Sequence, residues 1–137
     1  MSGTMDGRVR VFSKWSAWGP QLQSVLRIVA ALLFVTAGTA ILFAFPARVP
    51  PGGGTAPFPS EIWVGGGLLV LGLFTRPVAF VLAGEMAVAY FQFHAPGGFW
   101  PTLNGGVPAV LYCFLWLYFS AAGPGPWSLH TRLTKRA

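Results

Sequence analysis

Charged residues are scarce in this chain, and acidic residues are scarcer still. Only 9% of the residues are charged, and Asp and Glu together number three against nine Lys and Arg. A soluble globular domain carries about 25% charged residues, so a chain this short has too little polar surface to face water on all sides. Apolar residues make up 54% of the chain. This composition excludes an ordinary soluble domain and indicates an integral membrane protein.

The excess of basic residues raises nucleic-acid binding as an alternative, because the formal net charge is +6. The Lys and Arg residues are dispersed near the ends of apolar runs. They do not form the basic stripe with interleaved aromatics that nucleic-acid binders show. We therefore expect no nucleic-acid partner, and we expect the lipid bilayer to be the main surroundings of the chain.

Cysteine is nearly absent. Cys113 is the one cysteine in the sequence, which excludes an internal disulfide, a CxxC redox pair and a cysteine-based zinc site. We expect Cys113 to serve as a small apolar residue in a helix. The alternative, a redox-active thiol, would require exposure and a stabilised thiolate.

The chain contains four long apolar runs, at 28–45, 62–74, 77–93 and 107–122. A membrane-spanning helix needs about 20 residues, which the first run reaches if its helix begins near Gln21 and ends at Pro46. That run is too long for the apolar region of a signal peptide.

The second run reaches a spanning length only if it starts at Phe58 or at a capping Ser60. Proline suits the first position of a helix, so Pro77 is predicted to open the third helix after a tight turn.

The predicted fold class is therefore all-α, a polytopic integral membrane protein built as a four-transmembrane-helix bundle. Small residues allow helix backbones to approach closely in membranes. We predict such packing surfaces at the glycines within the spans, at positions 65, 66, 67, 72 and 84.

The placement of the cations gives an orientation to this bundle. Four spans put both termini and Arg76 on one side, together with every Lys and Arg except Arg48. The positive-inside rule assigns that side to the cytoplasm, which predicts an N-in/C-in topology. Residues 1–20 then form a basic cytoplasmic N-terminal segment, residues 21–130 the four-helix transmembrane domain, and residues 131–137 a basic cytoplasmic tail.

Glu85 is the strongest candidate for a functional residue. It lies about eight residues into the predicted third helix, or roughly 12 Å along the axis, which places it in the hydrocarbon region. A charge there is costly, so Glu85 should face the bundle interior, pair with a cation or be protonated. Arg27 in the first helix is the predicted partner. Two readings stay open: a fixed ion pair that orients two helices, or a site that handles protons or binds a head group.

The two histidines do not predict a metal or haem site. His94 falls at the outer end of the third helix and His130 in the cytoplasmic tail. The hydrocarbon core of about 30 Å separates them, so they cannot ligate one iron. We expect no intrinsic cofactor, and we interpret His94 as a helix-end cap or interfacial residue.

A series of short motifs links the apolar runs in a characteristic order. It comprises Gly72-Leu73-Phe74-Thr75-Arg76-Pro77, Gly84-Glu85-Met86, His94-Ala95-Pro96, Phe99-Trp100-Pro101, Asn104-Gly105-Gly106 and Gly123-Pro124-Gly125-Pro126-Trp127-Ser128-Leu129. Over roughly residues 25 to 130 the series resembles the DoxX family of small bacterial membrane proteins. The resemblance implies a location in the bacterial inner membrane. It also implies a link to quinones, because the family is named for subunits of quinone-linked oxidases.

The chain departs from the family pattern at several polar positions. Many similar members have His-Gly followed by Lys in the first helix, where this chain has Ala37-Gly38 and then Ile41. The family commonly has Glu where Val107 stands, and Asp where His130 stands. Each departure removes a polar or acidic group that a redox or proton-transfer role would use.

The resemblance leads to a quinone as the expected ligand and to two tyrosines as its contacts. Tyr90 and Tyr112 are predicted to hydrogen-bond a quinone carbonyl, in an apolar pocket with few polar groups. The leading functional hypothesis is a membrane subunit or anchor without its own chromophore, assisting a quinone-linked or thiol-linked redox partner. No independent catalytic activity is predicted. The alternatives are a structural or interaction protein of the membrane and a small proton-coupled transporter that titrates Glu85.

Overall fold

The computed structural model describes residues 13–44 and 59–136, of which 59–61 are described by backbone alone. A helical segment at 13–16 precedes the first long helix. The α-helices are α1 (Gly19–Phe43), α2 (Pro59–Leu71), α3 (Thr75–Ala89), α4 (Pro101–Asn104), α5 (Val107–Ala122) and α6 (Leu129–Thr134). Helix α3 continues into a π-helical turn (Tyr90–His94) and a 3₁₀ turn (Ala95–Gly97). The described ranges contain no β-strand, which confirms the all-α prediction.

Proline and left-handed residues set the helix ends. Helix α1 has a proline in its first turn and ends at Ala44, whose φ is 52°. Between α2 and α3 the backbone turns left-handed at Gly72 and again at Phe74, with φ of 71° and 48°. The prediction that the second helix reaches residue 74 is therefore wrong by three residues, because the reversal begins directly after Leu71. Helix α3 begins at Thr75, which leaves Pro77 inside the first turn, where its missing N–H is not needed.

The helices pack as two extensive pairs, α3 with α5 and α1 with α2, and α2 also contacts α3. The core between them is apolar and consists of Ala30, Ala31, Phe34, Ile62, Leu69, Ala79, Leu82, Ala83, Met86, Ala89, Trp116 and Phe119. Small residues predominate on α3, and large aromatics on α5. The small side chains of α3 leave space for the large rings of α5 where the two helices pack.

Glycines bring α1 and α2 close together, although not all of the predicted ones do so. A Cβ added at Gly66 would lie 2.6 Å from Cγ2 of Val35 on α1, and one added at Gly38 would lie 2.8 Å from Cγ2 of Ile62. Gly67 and Gly84 have no atom within 4 Å of an added Cβ. The prediction of a packing role for those two glycines is therefore wrong, because each faces open space rather than a neighbouring helix.

Two of the helical segments are long and apolar enough to cross a bilayer, among the residues that are described. They are Gly19–Phe43 and Thr75–Gly97, and the shorter apolar helices are Ile62–Leu71 and Val107–Ala122. The 16 residues of α5 extend about 24 Å at 1.5 Å per residue, less than the hydrocarbon core of about 30 Å. Helical structure is thus present at all four predicted runs, while a spanning length is reached by two.

Candidate functional sites

Arg27 is fully buried, with 0% of its surface exposed. Within the described part of the chain, its guanidinium donates hydrogen bonds to four backbone carbonyls. Nε donates to Pro124 O at 2.8 Å and Nη2 to Trp127 O at 2.6 Å, while Nη1 donates to Val70 O at 2.9 Å and to Leu69 O. Leu69 and Val70 are in the last turn of α2, where carbonyls have no intrahelical partner. Arg27 therefore caps α2 and ties it to the segment that follows α5.

Two polar neighbours on α1 hold the same segment. Ser24 Oγ accepts a hydrogen bond from Trp127 N at 3.1 Å, and Gln23 Nε2 donates to Gly123 O at 2.9 Å. A Cβ added at Gly125 would lie 2.4 Å from Ser24 Oγ. We call Gln23, Ser24 and Arg27 the α1 clamp, because all three fix the α5–α6 connection to α1. The clamp explains why this connection carries glycines among its prolines.

Glu85 is also buried, with 7% of its surface exposed. It lies on α3, one helical turn before Ala89, so both residues face nearly the same way. The donors of Arg27 described above all reach carbonyls. The pairing of Glu85 with Arg27 and the proton-handling role of Glu85 remain predictions.

A cavity of about 150 Å³ lies at the opposite end of the bundle from the α1 clamp. Its described lining consists of Phe34, Ala37, Ile41, Ile62, Met86, Ala89, His94, Gly105, Pro108, Ala109 and Tyr112. Helices α1, α2, α3 and α5 all contribute to it. Among these residues, His94 and Tyr112 are the two whose side chains carry polar atoms. The described part of the lining is therefore apolar apart from these two side chains. Ala37, Gly105 and Pro108 are exposed, so the cavity is open on one side.

Aromatic rings form the wall of the cavity toward the bundle centre. Tyr112 stacks on Trp116 with ring centroids 5.6 Å apart and lies 5.1 Å from the ring of Phe34. Trp116 meets Phe34 edge-on at 5.4 Å. Such contacts fix ring orientation beyond what area burial alone provides. Tyr112 is thereby held in place in the wall by neighbours on two helices.

Tyr90 is placed differently from Tyr112. It is 7% exposed, and its hydroxyl donates a hydrogen bond to Phe99 O. Asn104 completes this arrangement, with Nδ2 donating to Gly98 O at 2.6 Å and Oδ1 accepting from Gly106 N at 2.8 Å. Tyr90 thus fixes the connection between α3 and α5 and is not among the lining residues of the cavity.

His94 is buried at the end of the π-helical turn, with 8% of its surface exposed. Its Nδ1 lies 3.1 Å from Asn104 O. The expected role as a residue at a helix end fits this position, yet the residue also lines the cavity. Nothing in the spacing of His94 and Tyr112 in the sequence indicates that they share a cavity, because the connection between α3 and α5 brings them together.

Metal ligands do not cluster in the described part of the chain, where no group of three His, Cys, Asp or Glu residues has a suitable arrangement. Cys113 is half-buried on α5.

Two helices of spanning length and many large apolar side chains exposed on the surface of the bundle are typical of a small helical membrane protein. Comparison with known proteins makes the assignment more specific. The family model of DoxX matches residues 22–95, more than half of the chain, so the chain belongs to the DoxX family. The match ends at residue 95, within the connection between α3 and α5, and does not reach the segment after α5 that the α1 clamp holds.

A protein of Haemophilus influenzae is 42% identical over 127 residues, which cover 85% of this chain and 94% of that protein. It is described as an uncharacterized protein. No solved structure matches the chain.

Proposed function

We propose that the protein spans the bacterial inner membrane four times and binds the ring of a membrane quinone in the cavity lined by Tyr112. In this role it serves as a subunit or anchor without a chromophore of its own, for a quinone-linked or thiol-linked redox partner. The main observation in support of this proposal is the cavity.

The volume and chemistry of the cavity support this ligand class. The volume of about 150 Å³ is comparable with that of an apolar cavity that binds one benzene-sized ring. The apolar lining suits a quinone ring, and the hydroxyl of Tyr112 is a donor for a quinone carbonyl. Ala37 and Ile41, the positions where the family resemblance leads one to expect His and Lys, also line the cavity. In this chain the chamber is accordingly apolar there, which favours a neutral ring over a charged ligand.

The distribution of cations supports the proposed orientation. Arg76 in the first turn of α3 lies near Gly123 at the end of α5, since an added Cβ there would be 3.4 Å from Arg76 Nε. Arg132 in α6 and the two basic residues after it follow the same end of α5. A cationic end of this kind faces the cytoplasm in most membrane proteins. The cavity, at the other end of the bundle, then lies in the outer half of the bilayer.

A thermal melt in detergent with and without a short-chain quinone tests the proposal. A ligand at 100 times its Kd stabilises the folded state by about 2.7 kcal/mol, so we expect the parent Tm to rise by several degrees. Ala37→Leu adds volume to the cavity wall and should abolish the rise. Tyr112→Phe removes one hydrogen bond and should weaken binding by roughly threefold to tenfold, or about 0.5–1.5 kcal/mol.

The control is Ala121→Leu, which makes the same change at an exposed position of α5 outside the cavity. It should retain the full quinone effect. Equal shifts in Ala37→Leu and Ala121→Leu would contradict binding in this cavity, and no shift in the parent would contradict quinone binding altogether.

The α1 clamp favours a second candidate function, a structural or interaction protein of the membrane. All donors described for Arg27 stabilise backbone carbonyls. A protein of that kind needs no ligand in the cavity. It would show no quinone effect in the melt, while the Arg27 variants discussed below would still unfold at lower temperature.

A further inference from the structure

One exposed face of α1 borders a groove at the basic end of the bundle, with a volume of about 510 Å³. The groove is lined by Gly19, Leu22, Gln23, Val25, Leu26 and Val29 of α1 and by Tyr118 of α5. Between 40% and 54% of the surface of each of its leucines and valines is exposed. The groove is thus open and mainly apolar, and it lies on the outside of the bundle.

The groove exists because α1 and α5 approach each other at two separate levels. Toward the middle of the bundle, the ring of Phe34 lies 5.1 Å from that of Tyr112. At the basic end, Gln23 Nε2 donates to Gly123 O at 2.9 Å. In the described part of the chain, α1 and α5 are not among the extensively packed pairs. The space between the two contacts is therefore left open beside Tyr118.

The length of the groove matches one leaflet of a bilayer. Gly19 and Val29 are ten residues apart on α1, which is about 15 Å along the axis at 1.5 Å per residue. The hydrocarbon core is about 30 Å thick, so each leaflet contributes about 15 Å of it. An acyl chain of one leaflet can therefore lie along the whole groove.

A cation lies at the basic end of the groove. Arg76 is exposed in the first turn of α3, and a Cβ added at Gly123 would lie 3.5 Å from its Nη2. Gln23, which lines the groove, donates its hydrogen bond to the same glycine. The guanidinium of Arg76 is consequently held beside the groove and is accessible there.

A second cation and two tryptophans directly precede the groove in the chain. Lys14, Trp15 and Trp18 together line a small cavity just before α1. Tryptophan is enriched at the level of the lipid head groups, so these residues place that level at the start of the groove. Glu85 is the acidic residue whose side chain the structure describes, and it lies roughly 14 Å along α3 from Arg76. No described carboxylate therefore neutralises the cations at this end.

We propose that the groove binds one anionic phospholipid, with an acyl chain along α1 and the phosphate at Arg76. A guanidinium binds phosphate through paired, charge-assisted hydrogen bonds. The apolar side chains of the groove suit the acyl chain, and the length of the groove suits a single leaflet. A second copy of the chain fits this face less well, because its own cations would meet those of the first copy. The inference does not depend on the quinone proposal, since the quinone cavity lies at the other end of the bundle.

Native mass spectrometry of the full chain in a nonionic detergent tests this inference. Dioleoylphosphatidylglycerol, dioleoylphosphatidylcholine and glycerol 3-phosphate are titrated separately. One cation near a membrane surface is worth about fivefold in affinity, so we expect phosphatidylglycerol to bind at least about fivefold more tightly than phosphatidylcholine. Its binding should saturate at one lipid per chain. Glycerol 3-phosphate should not bind measurably, because it lacks the acyl chain that occupies the groove.

Two pairs of variants separate the head group from the acyl chain. Arg76→Gln should weaken phosphatidylglycerol binding by about fivefold, whereas Arg132→Gln, which removes the same charge from an exposed position of α6, should change it by less than about twofold. Leu26→Trp fills the groove and should weaken binding of both phospholipids. Leu111→Trp, at an exposed position of α5 outside the groove, should leave both affinities unchanged.

Equal affinities for the two phospholipids, or uptake without saturation, would overturn the inference. Equal losses in Arg76→Gln and Arg132→Gln would show a diffuse attraction to the basic end and would overturn it as well. If Leu26→Trp disrupts a dimer in light scattering and changes no lipid affinity, a second copy of the chain occupies the groove instead. The titrations on the parent protein decide the question even if a variant does not fold.

Discussion

Arg27 shows how a buried cation is accommodated here without a carboxylate among its described hydrogen-bond partners. Its planar fork of donors reaches carbonyls from the end of α2 and from the segment after α5. A lysine cannot reproduce that fork, since its ammonium group is a compact point charge. The sequence indicates that Arg27 is buried in the bundle, but its carbonyl partners lie up to 100 residues away. No local sequence pattern indicates these carbonyl partners.

We predict that replacing Arg27 lowers stability strongly. Arg27→Lys should cost about 2–4 kcal/mol and Arg27→Gln more, because each buried carbonyl that loses its donor costs about 1–3 kcal/mol. Urea or thermal unfolding in detergent measures the effect. Arg132→Gln, at an exposed position of α6, is the control and should change stability by less than about 0.5 kcal/mol. A parent-like Arg27→Lys variant would show that the clamp is not needed.

At the scale of the helices, the turn between α2 and α3 depends on one glycine. Gly72 has φ of 71°, and an added Cβ would lie 2.4 Å from Cβ of Ser128 and 3.0 Å from Nη1 of Arg27. The position therefore needs both a left-handed backbone and the absence of a side chain. Gly67, five residues earlier in α2, meets nothing within 4 Å.

The two glycines give a matched pair of variants. Gly72→Ala should destabilise the protein by more than about 2 kcal/mol, through backbone strain and displacement of Ser128 and of the Arg27 guanidinium. Gly67→Ala should stabilise it by up to about 1 kcal/mol, because alanine is the better helix former. Melting temperatures of both variants in the same detergent check the pair. Equal effects would refute the close approach at Gly72.

The helices themselves could be predicted because their signals are local. The apolar runs and the prolines and glycines between them predicted helical structure at all four positions and a tight turn before Pro77. The start of α2 at Pro59 falls within one residue of the prediction. The C-terminal end of α2 and the π-helical turn could not be predicted, since both depend on contacts with distant segments. The same holds for the cavity: Tyr112 was predicted as a ligand contact from its residue type, whereas His94 reaches the cavity through a distortion of α3 that the sequence does not signal.

At the scale of the whole molecule, the proposed four-span topology places the α3–α5 connection outside and α6 in the cytoplasm. A Cys113→Ser background with a single cysteine at Thr102 or at Thr134 tests this arrangement. Thr102 is an exposed residue of α4 and Thr134 of α6. In intact cells a membrane-impermeant maleimide should label the cysteine at 102 and spare the one at 134. Equal labelling at both positions would mean that α5, the shorter helix between them, does not cross the membrane.

Two polar regions lie at opposite ends of the bundle and have different roles. The α1 clamp holds the basic end together, while the cavity between α1, α3 and α5 offers space for one ring. Buried polar groups are costly unless they are satisfied. The clamp meets this requirement through hydrogen bonds to backbone groups.

The most direct measurement is photolabelling of the protein in native membranes with an azido-quinone, followed by mass spectrometry of the labelled peptides. The account predicts label on the segments that carry Met86, His94 and Tyr112. An excess of unmodified short-chain quinone should suppress this label, and Ala37→Leu should abolish it. Label spread over the lipid-facing side chains of α1 and insensitive to competition would contradict a quinone site in the cavity.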